Sequence, residues 1–165
     1  MGAASSASGA QKQALGAVCT APPHAGVDQL LPDGSWVVAC EGPPGCCGGV
    51  ETWPGQCTIT SNPHDGTFIG QGQDSDGPYR MFGKVTAPGA LAWIEVKGNE
   101  APHLASLTSV FDLCTQVSQM LGTGHNCVAL VACSGKINQS GGGQYVINGR
   151  WNAVNMGGNL ALNRV

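Results

Sequence analysis

The residues best suited to chemistry are eight cysteines, since thiols can form disulfides, bind metals or act as nucleophiles. They lie at Cys19, Cys40, Cys46, Cys47, Cys57, Cys114, Cys127 and Cys133. The even count suits four disulfides in an oxidising compartment. The lack of a basic, then apolar, opening segment favours an intracellular protein, unless the chain is a processed product. The spacing does not repeat C-x2-C, so we expect no structural zinc site. Free buried thiols that pack as small apolar groups are the alternative to disulfides.

The remaining polar residues do not form a pattern typical of an active site. The histidines His24, His64, His103 and His125 fall in a leader, in a turn or at element boundaries, without metal-ligand spacing. Asp74 and Asp76 flank a turn, where aspartates usually accept hydrogen bonds from the backbone. Gly70-x-Gly72 is not followed by a helix and so is not a phosphate loop. We therefore expect no catalytic residue, no metal site and no enzymatic activity, and no cofactor is indicated.

The composition indicates one globular domain with an unusual surface. The chain has 165 residues, is 42% hydrophobic and only 10% charged, and carries a net charge of -3. Soluble domains usually contain about a quarter charged residues. The surface is therefore covered by neutral polar groups, or a partner covers part of it. The acidic balance favours no nucleic-acid partner, and no run of about 18 apolar residues indicates a transmembrane segment.

The first residues, Met1 to Ser6, fit the pattern for N-myristoylation on Gly2. A small-residue tail without lipid is the alternative. A single acyl chain gives only marginal, reversible membrane binding, so the pattern would indicate peripheral membrane contact at most. Residues 1–26 are rich in Ala, Ser and Gly, and we expect a flexible leader there.

Short β-prone segments separated by Gly, Pro, Asn and Asp recur through residues 27–165. The predicted strands are 35–40, 56–60, 67–73, 79–85, 91–97, 127–133, 144–151 and 159–165. Between the fifth and sixth strands, apolar residues spaced by three and four from Pro102 to Gly122 predict an amphipathic helix, within an insertion spanning 99–124. About eight strands suffice to close a barrel around side chains or one small ligand. We predict an all-β fold, a closed eight-stranded antiparallel up-and-down barrel with one inserted α-helix.

Both ends of the predicted barrel carry a family resemblance. Gly34-Ser35-Trp36 resembles the Gly-x-Trp start of the lipocalin/avidin (calycin) superfamily. In those barrels the tryptophan closes the bottom, and a basic side chain of the last strand commonly packs over it. Arg164 stands in the corresponding place here. An arginine stacked on a tryptophan contributes about 0.5–2 kcal/mol.

A second resemblance covers most of the chain. The segment from Gly70 to Tyr79, with Gly83, resembles a hairpin of uncharacterised avidin-like barrel modules from algae and other protists. The segment from Ile147 to Leu162 is similar to the last hairpin of those modules. The Cys-rich first loop and the inserted helix depart from them.

In an up-and-down barrel the odd-numbered connections meet at one end, opposite the Trp36 closure. The inserted helix would plug or lid that mouth, and Cys46 and Cys47 would lie near Cys114, where a disulfide or a redox-sensitive clamp could form. Unpaired thiols are the alternative. The candidates to contact a ligand are Phe68, Phe82, Trp93 (or its neighbour Ile94), Phe111, Tyr145 and Ile147. Packing in the core is the alternative for these side chains.

Two functions follow from these expectations. The first is a binding module that holds a small apolar or amphipathic ligand beneath the helical lid. The second is a structural or accessory subunit, whose charge-poor surface packs on a larger assembly that could be membrane-associated.

Overall fold

The structure, a computed structural model, describes residues 9–20, 31–42, 52–74, 77–123, 129–153 and 156–165. Eight strands form a closed barrel in which each strand is antiparallel to its neighbours in chain order. The strands are β1 (Gly34–Glu41), β2 (Thr52–Ser61), β3 (Thr67–Asp74), β4 (Gly77–Ala87), β5 (Ala90–Lys97), β6 (Leu130–Gln139), β7 (Tyr145–Asn152) and β8 (Gly157–Arg164). The predicted fold class is confirmed. The main difference lies in β6, which runs further towards its C-terminal end than predicted.

Strands β1 and β8 close the barrel. Trp36 lies opposite Arg164, and Val38 lies opposite Leu162. Along β1, Trp36 and Val38 are buried whereas Val37 between them is 43% exposed. This alternation places one face of the strand in the barrel interior and the other in solvent.

The barrel interior is filled with side chains over most of its length. Phe68 and Trp93 pack edge to face, with ring centroids 6.3 Å apart. A Cβ at Gly83 would overlap the Phe68 ring, so the glycine makes room for it. The buried interior also contains Trp36, Ile59, Met81, Val85, Leu91, Ile137, Ile147, Leu160 and Leu162.

A second core lies outside the barrel wall. In β5 the outward residues Ala92, Ile94 and Val96 are as buried as the inward ones. Helices α1 (Gly9–Thr20) and α2 (Pro102–Ala105) cover them, and α3 (Val110–Thr123) joins the same core. A strand buried on both faces needs apolar residues at consecutive positions, and the run from Leu91 to Ile94 meets that need.

The insertion between β5 and β6 forms two helices. We expected a helix over the barrel mouth, but these helices lie against the outer wall of the barrel. Leu104 of α2 and Leu113 and Val117 of α3 are buried in the outer core. Helix α2 packs against β5, and α3 packs against α1, β3 and β4. The physical reason is that the outer wall of β4 to β6 is apolar and provides the surface that these helix faces bury.

Twelve residues of the segment that we predicted as a flexible leader form helix α1. Ala14, Leu15 and Val18 are buried against β4, β5 and β6. The buried Gln11 donates a hydrogen bond from Nε2 to the Leu130 carbonyl oxygen, at 2.7 Å. The remainder of the predicted leader, including Gly2, lies outside the described residues.

A disulfide joins the two longer helices. Cys19 of α1 is bonded to Cys114 of α3, with their Cα atoms 5.5 Å apart. The disulfide with Cys46 or Cys47 that the sequence left open is therefore not formed by Cys114, because α3 lies against α1 on the wall. Cys46 and Cys47 themselves lie outside the described residues.

No helix in the described part of the chain is both long and apolar enough to span a bilayer.

Candidate ligand-binding cavity at the barrel mouth

The barrel interior retains an open cavity of about 150 Å³. It lies at the end opposite the pair of Trp36 and Arg164, where the odd-numbered connections meet. Tyr79, Glu95, Val131 and Trp151 line its walls. Its rim includes Asp74, Lys97, Asn99, Glu100 and Met156. The connection after β5 therefore contributes to the mouth through Asn99 and Glu100, and the helices that follow it do not.

Strand β5 positions the most distinctive group of the cavity, the Glu95 carboxyl. Alternation along the strand places Leu91, Trp93 and Glu95 on the inward face. Oε2 of Glu95 accepts hydrogen bonds from the Trp93 indole Nε1 at 3.1 Å and from the Cys133 thiol at 3.2 Å. Oε1 accepts no hydrogen bond from the described residues. Two donors thus fix the carboxyl and leave one oxygen open to the cavity.

The surroundings raise the pKa of Glu95 above that of a glutamate exposed to water. Burial is the main cause that raises its pKa, and the nearby Asp74 carboxyl raises it further. The hydrogen bonds from Trp93 and Cys133 and the charge of Lys97 act in the opposite direction. The net result is a carboxyl whose pKa lies above its ordinary value, an arrangement that is common at functional sites.

Three thiols face the same interior. Burial, followed by the charge of Glu95, raises the pKa of Cys40 and of Cys57 to about 12. The same two causes raise the pKa of Cys133 well above its usual value. Thiols in this state remain protonated at neutral pH and are poor nucleophiles. Cys40 therefore lines the cavity as a small, weakly polar group, while Cys57 and Cys133 pack in the barrel interior.

Tyr79 reaches across the sheet towards the thiols. A Cβ at Gly72 would lie only 2.5 Å from the Tyr79 Cζ and Oη atoms, so the glycine makes room for the ring. The phenol lies near the Cys57 thiol and acts to lower its pKa, while burial, the largest cause, raises the pKa of Tyr79 above its usual value. The hairpin of β3 and β4 thereby places a neutral phenol at the cavity wall.

None of the six residues predicted to contact a ligand lines this cavity. Phe68, Trp93 and Ile147 are buried deeper in the barrel interior, and Tyr145 is half-buried against the same core. Phe82 points outward beneath the helices, beside the equally outward Ile94. Phe111 is 78% exposed on α3. Tyr79, Glu95 and Trp151 line the cavity instead, and none of them was predicted from the sequence.

One sequence signal could have identified Glu95. It is the only charged residue in the run from Leu91 to Val96, and it falls on the same alternating face as Leu91 and Trp93. A carboxylate on the buried face of a strand is expensive unless it is paired or functional.

At the opposite end, Arg164 holds the first strand to the last. Its guanidinium donates hydrogen bonds from Nε, at 3.1 Å, and from a terminal nitrogen to the Asp33 carbonyl oxygen. Trp36, which is paired with Arg164 between β1 and β8, is completely buried. Its indole Nε1 has no hydrogen-bond partner among the described residues. Hydrogen bonds from the last strand thus reach the residue that precedes the first strand, and closure of this end by Trp36 and Arg164 stays a prediction.

In the described part of the chain, no three His, Cys, Asp or Glu residues are grouped so that they could hold a metal ion. No protein-family model, curated protein or solved structure matches this chain. The closed antiparallel barrel of eight strands is consistent with the calycin-like architecture that the motifs at both ends indicate.

Proposed function

We propose that this protein is a non-enzymatic binding module of the lipocalin/avidin-like type, which holds one small amphipathic ligand at the barrel mouth. The observation that carries this proposal is the cavity itself. The rest of the interior is packed, while this end combines an open carboxyl oxygen of Glu95 with the rings of Tyr79 and Trp151. A few polar groups in an otherwise apolar pocket are typical of ligand sites.

The volume limits the size of the ligand. A cavity of about 150 Å³ is of the size that accommodates benzene in an engineered protein core. Ligand pockets for larger molecules usually measure about 300–1,000 Å³. We therefore expect a ligand with one ring or a short chain, and the mixed lining favours an amphipathic molecule over a purely apolar one.

The test uses the Trp151 indole as a reporter, since its Nε1 is held at 3.0 Å by the Glu41 carbonyl oxygen and its ring lines the cavity. A set of one-ring amphipathic compounds is titrated into the labelled protein and followed by NMR. At least one compound should shift the Trp151 indole resonance saturably. The variant Ala153→Leu fills the cavity and should abolish the shift, while Ala39→Leu, at an exposed site on β1, should preserve it. Binding that survives Ala153→Leu would contradict the proposed site.

A second candidate, the accessory subunit, is favoured by a shallow groove on the outer face of β1 to β4. The groove measures about 790 Å³, and its described side chains are neutral apart from Arg80. Gln56, Gln71 and Gln73 stand on this face beside the exposed Val37. If the groove packs on a partner, Gln71→Lys should weaken assembly of the complex purified from its source and leave the Trp151 titration unchanged.

The disulfide bears on location. Disulfides persist mainly in oxidising compartments, and Cys19 and Cys114 are joined in this fold. We therefore propose an oxidising compartment, in contrast to the intracellular location that the opening of the sequence favoured.

A further inference from the structure

We propose that the ligand of the mouth cavity is a small organic cation, a protonated amine attached to one ring or to a short apolar group. This inference rests on the proposed binding function and names its ligand class. Three properties of the cavity support it: the balance of charge, the open carboxyl oxygen and the aromatic lining.

The charge around the cavity is acidic. Asp74, Glu95 and Glu100 contribute three carboxyl groups and Lys97 one ammonium group, a formal charge of -2 when all are ionised. The net charge of the whole chain is only -3, so the residues around the cavity account for a large part of it. A cavity lined mainly by one sign of charge attracts ligands of the opposite sign.

Glu95 provides the directional contact. Its Oε2 is held by Trp93 and Cys133, so the carboxyl is already oriented before a ligand arrives. Its Oε1 accepts no bond from the described chain and is available to an incoming ammonium group. Hydrogen bonds between an ammonium and a carboxylate are roughly twice as strong as neutral ones, and pre-orientation reduces the entropic cost of forming them.

The aromatic and apolar walls suit the remainder of such a ligand. Trp151 and Tyr79 both line the cavity, and the face of an aromatic ring attracts a cation through its quadrupole. Val131 and Ala153 add apolar surface for a ring or a short chain. An anionic ligand would instead meet the Glu95 carboxylate, and among the described lining residues Lys97 alone carries a positive charge to offset it.

The proposal implies that binding is linked to protons. Glu95 must be ionised to pair with an amine, and its surroundings favour the protonated form. The groups that face Glu95 are Asp74 on β3, Lys97 on β5, Cys133 on β6, Cys40 on β1, and Cys57 with Tyr79 on β2 and β4. The thiols and the phenol remain neutral at neutral pH. Below the pKa of Glu95 in the free protein, the affinity for an amine should fall by up to about tenfold per pH unit.

The experiment compares three probes of nearly equal size on the full chain: benzylamine, benzyl alcohol and benzoate. Each is titrated against the Trp151 indole resonance at several pH values between 5 and 8. We expect benzylamine to bind at least tenfold more tightly than benzyl alcohol at pH 8, and benzoate to bind most weakly. The preference for benzylamine should shrink as the pH is lowered. Glu95→Gln should reduce benzylamine to the level of benzyl alcohol, whereas Glu41→Gln, at an exposed position outside the cavity lining, should not change it.

The outcomes separate this inference from the function on which it rests. Equal, saturable binding of benzylamine and benzyl alcohol would overturn the inference that the ligand is a cation, and it would leave the proposed binding function in place. If none of the three probes binds, and no compound of the wider set shifts the Trp151 resonance, both the cationic ligand and the binding function are overturned. If Glu95→Gln does not fold, the comparison of the three probes and its pH dependence on the unmodified protein decide the question.

Discussion

At the scale of single residues, we predict that the Trp36 side chain closes its end of the barrel by filling the space between the strands. It is completely buried, and it lies opposite Arg164 where the first and last strands meet. Trp36→Ala should lower the free energy of unfolding by about 3–5 kcal/mol, because it leaves a cavity that the closed barrel cannot collapse around. Urea unfolding followed by circular dichroism measures this change. Val37→Ala, at a position 43% exposed on the outer face, should change stability far less. Equal effects of the two substitutions would contradict the closure.

Glu95 makes stability depend on pH in a direction unusual for a carboxyl group. Chiefly through burial, its pKa in the folded protein lies above the ordinary value of 4.5. The folded state then binds the proton more tightly than the unfolded state, so stability falls as the pH rises from about 4.5 through the raised pKa. Below this window the group imposes no such cost.

Glu95→Gln removes the ionisation, and the amide oxygen can still accept the bonds from Trp93 and Cys133. We expect the variant to resemble the unmodified protein at pH 4 and to be more stable than it at pH 8. Urea unfolding at pH 4, 6 and 8 measures the difference. Two stability curves that run parallel over this range would show that Glu95 does not titrate within it.

At the scale of elements, helix α1 makes a buried polar contact with the barrel. Gln11 is fully buried and donates to the Leu130 carbonyl oxygen at the start of β6. Gln11→Ala leaves that buried acceptor without this donor, which should cost about 1–3 kcal/mol. Gln13→Ala, an exposed glutamine on the same helix, is the matched control and should be nearly neutral. Thermal unfolding of both variants, with hydrogen exchange of the α1 amides, checks the prediction.

The disulfide between Cys19 and Cys114 fixes α1 to α3 across a sequence separation of 95 residues. Closing a loop of this length stabilises the folded state by up to about 4.7 kcal/mol in the chain-entropy description. Cys19→Ser and Cys114→Ser should each lower the free energy of unfolding by several kcal/mol. The double variant should cost no more than either single one, since all three remove the same bond. Additive effects in a urea titration would indicate that the two thiols act separately.

The elements also show what sequence reasoning can reach. The eight strands could be predicted because turn residues separate them, and the strand count with Trp36 and Arg164 led to the barrel. Helix α1 was missed because its apolar residues, Ala14, Leu15 and Val18, are few and small within an Ala- and Gly-rich segment. The placement of α3 was missed because periodicity shows that a helix has an apolar face but not which surface that face covers. Glu95 was not predicted because the candidate ligand contacts were chosen among large apolar and aromatic side chains.

At the scale of the whole molecule, the barrel has one wall that is buried on both sides. The inner face of β4 to β6 contributes to the interior core, and the outer face carries Phe82, Ile94, Leu130 and Ala132. Strand β2, by contrast, exposes the neutral polar residues Gln56, Thr58 and Thr60 on its outer face. The described helices therefore cover one wall of the barrel, and none of their residues lines the cavity at the mouth.

This division predicts what happens when the cover is removed. Deletion of residues 1–20, combined with Cys114→Ser to avoid an unpaired thiol, uncovers the apolar wall of β4 to β6. Exposed apolar surface of this kind promotes association. We expect the truncated protein to form larger species than the full chain in light scattering coupled to size-exclusion chromatography, and to bind the dye ANS more strongly.

The full chain with Cys114→Ser alone is the control, because α1 remains present to cover the wall. If the truncated protein matched this control in size and in dye binding, α1 would not be the element that shields the barrel. Because α1 lies away from the cavity, any truncated monomer should still bind one-ring ligands at the mouth.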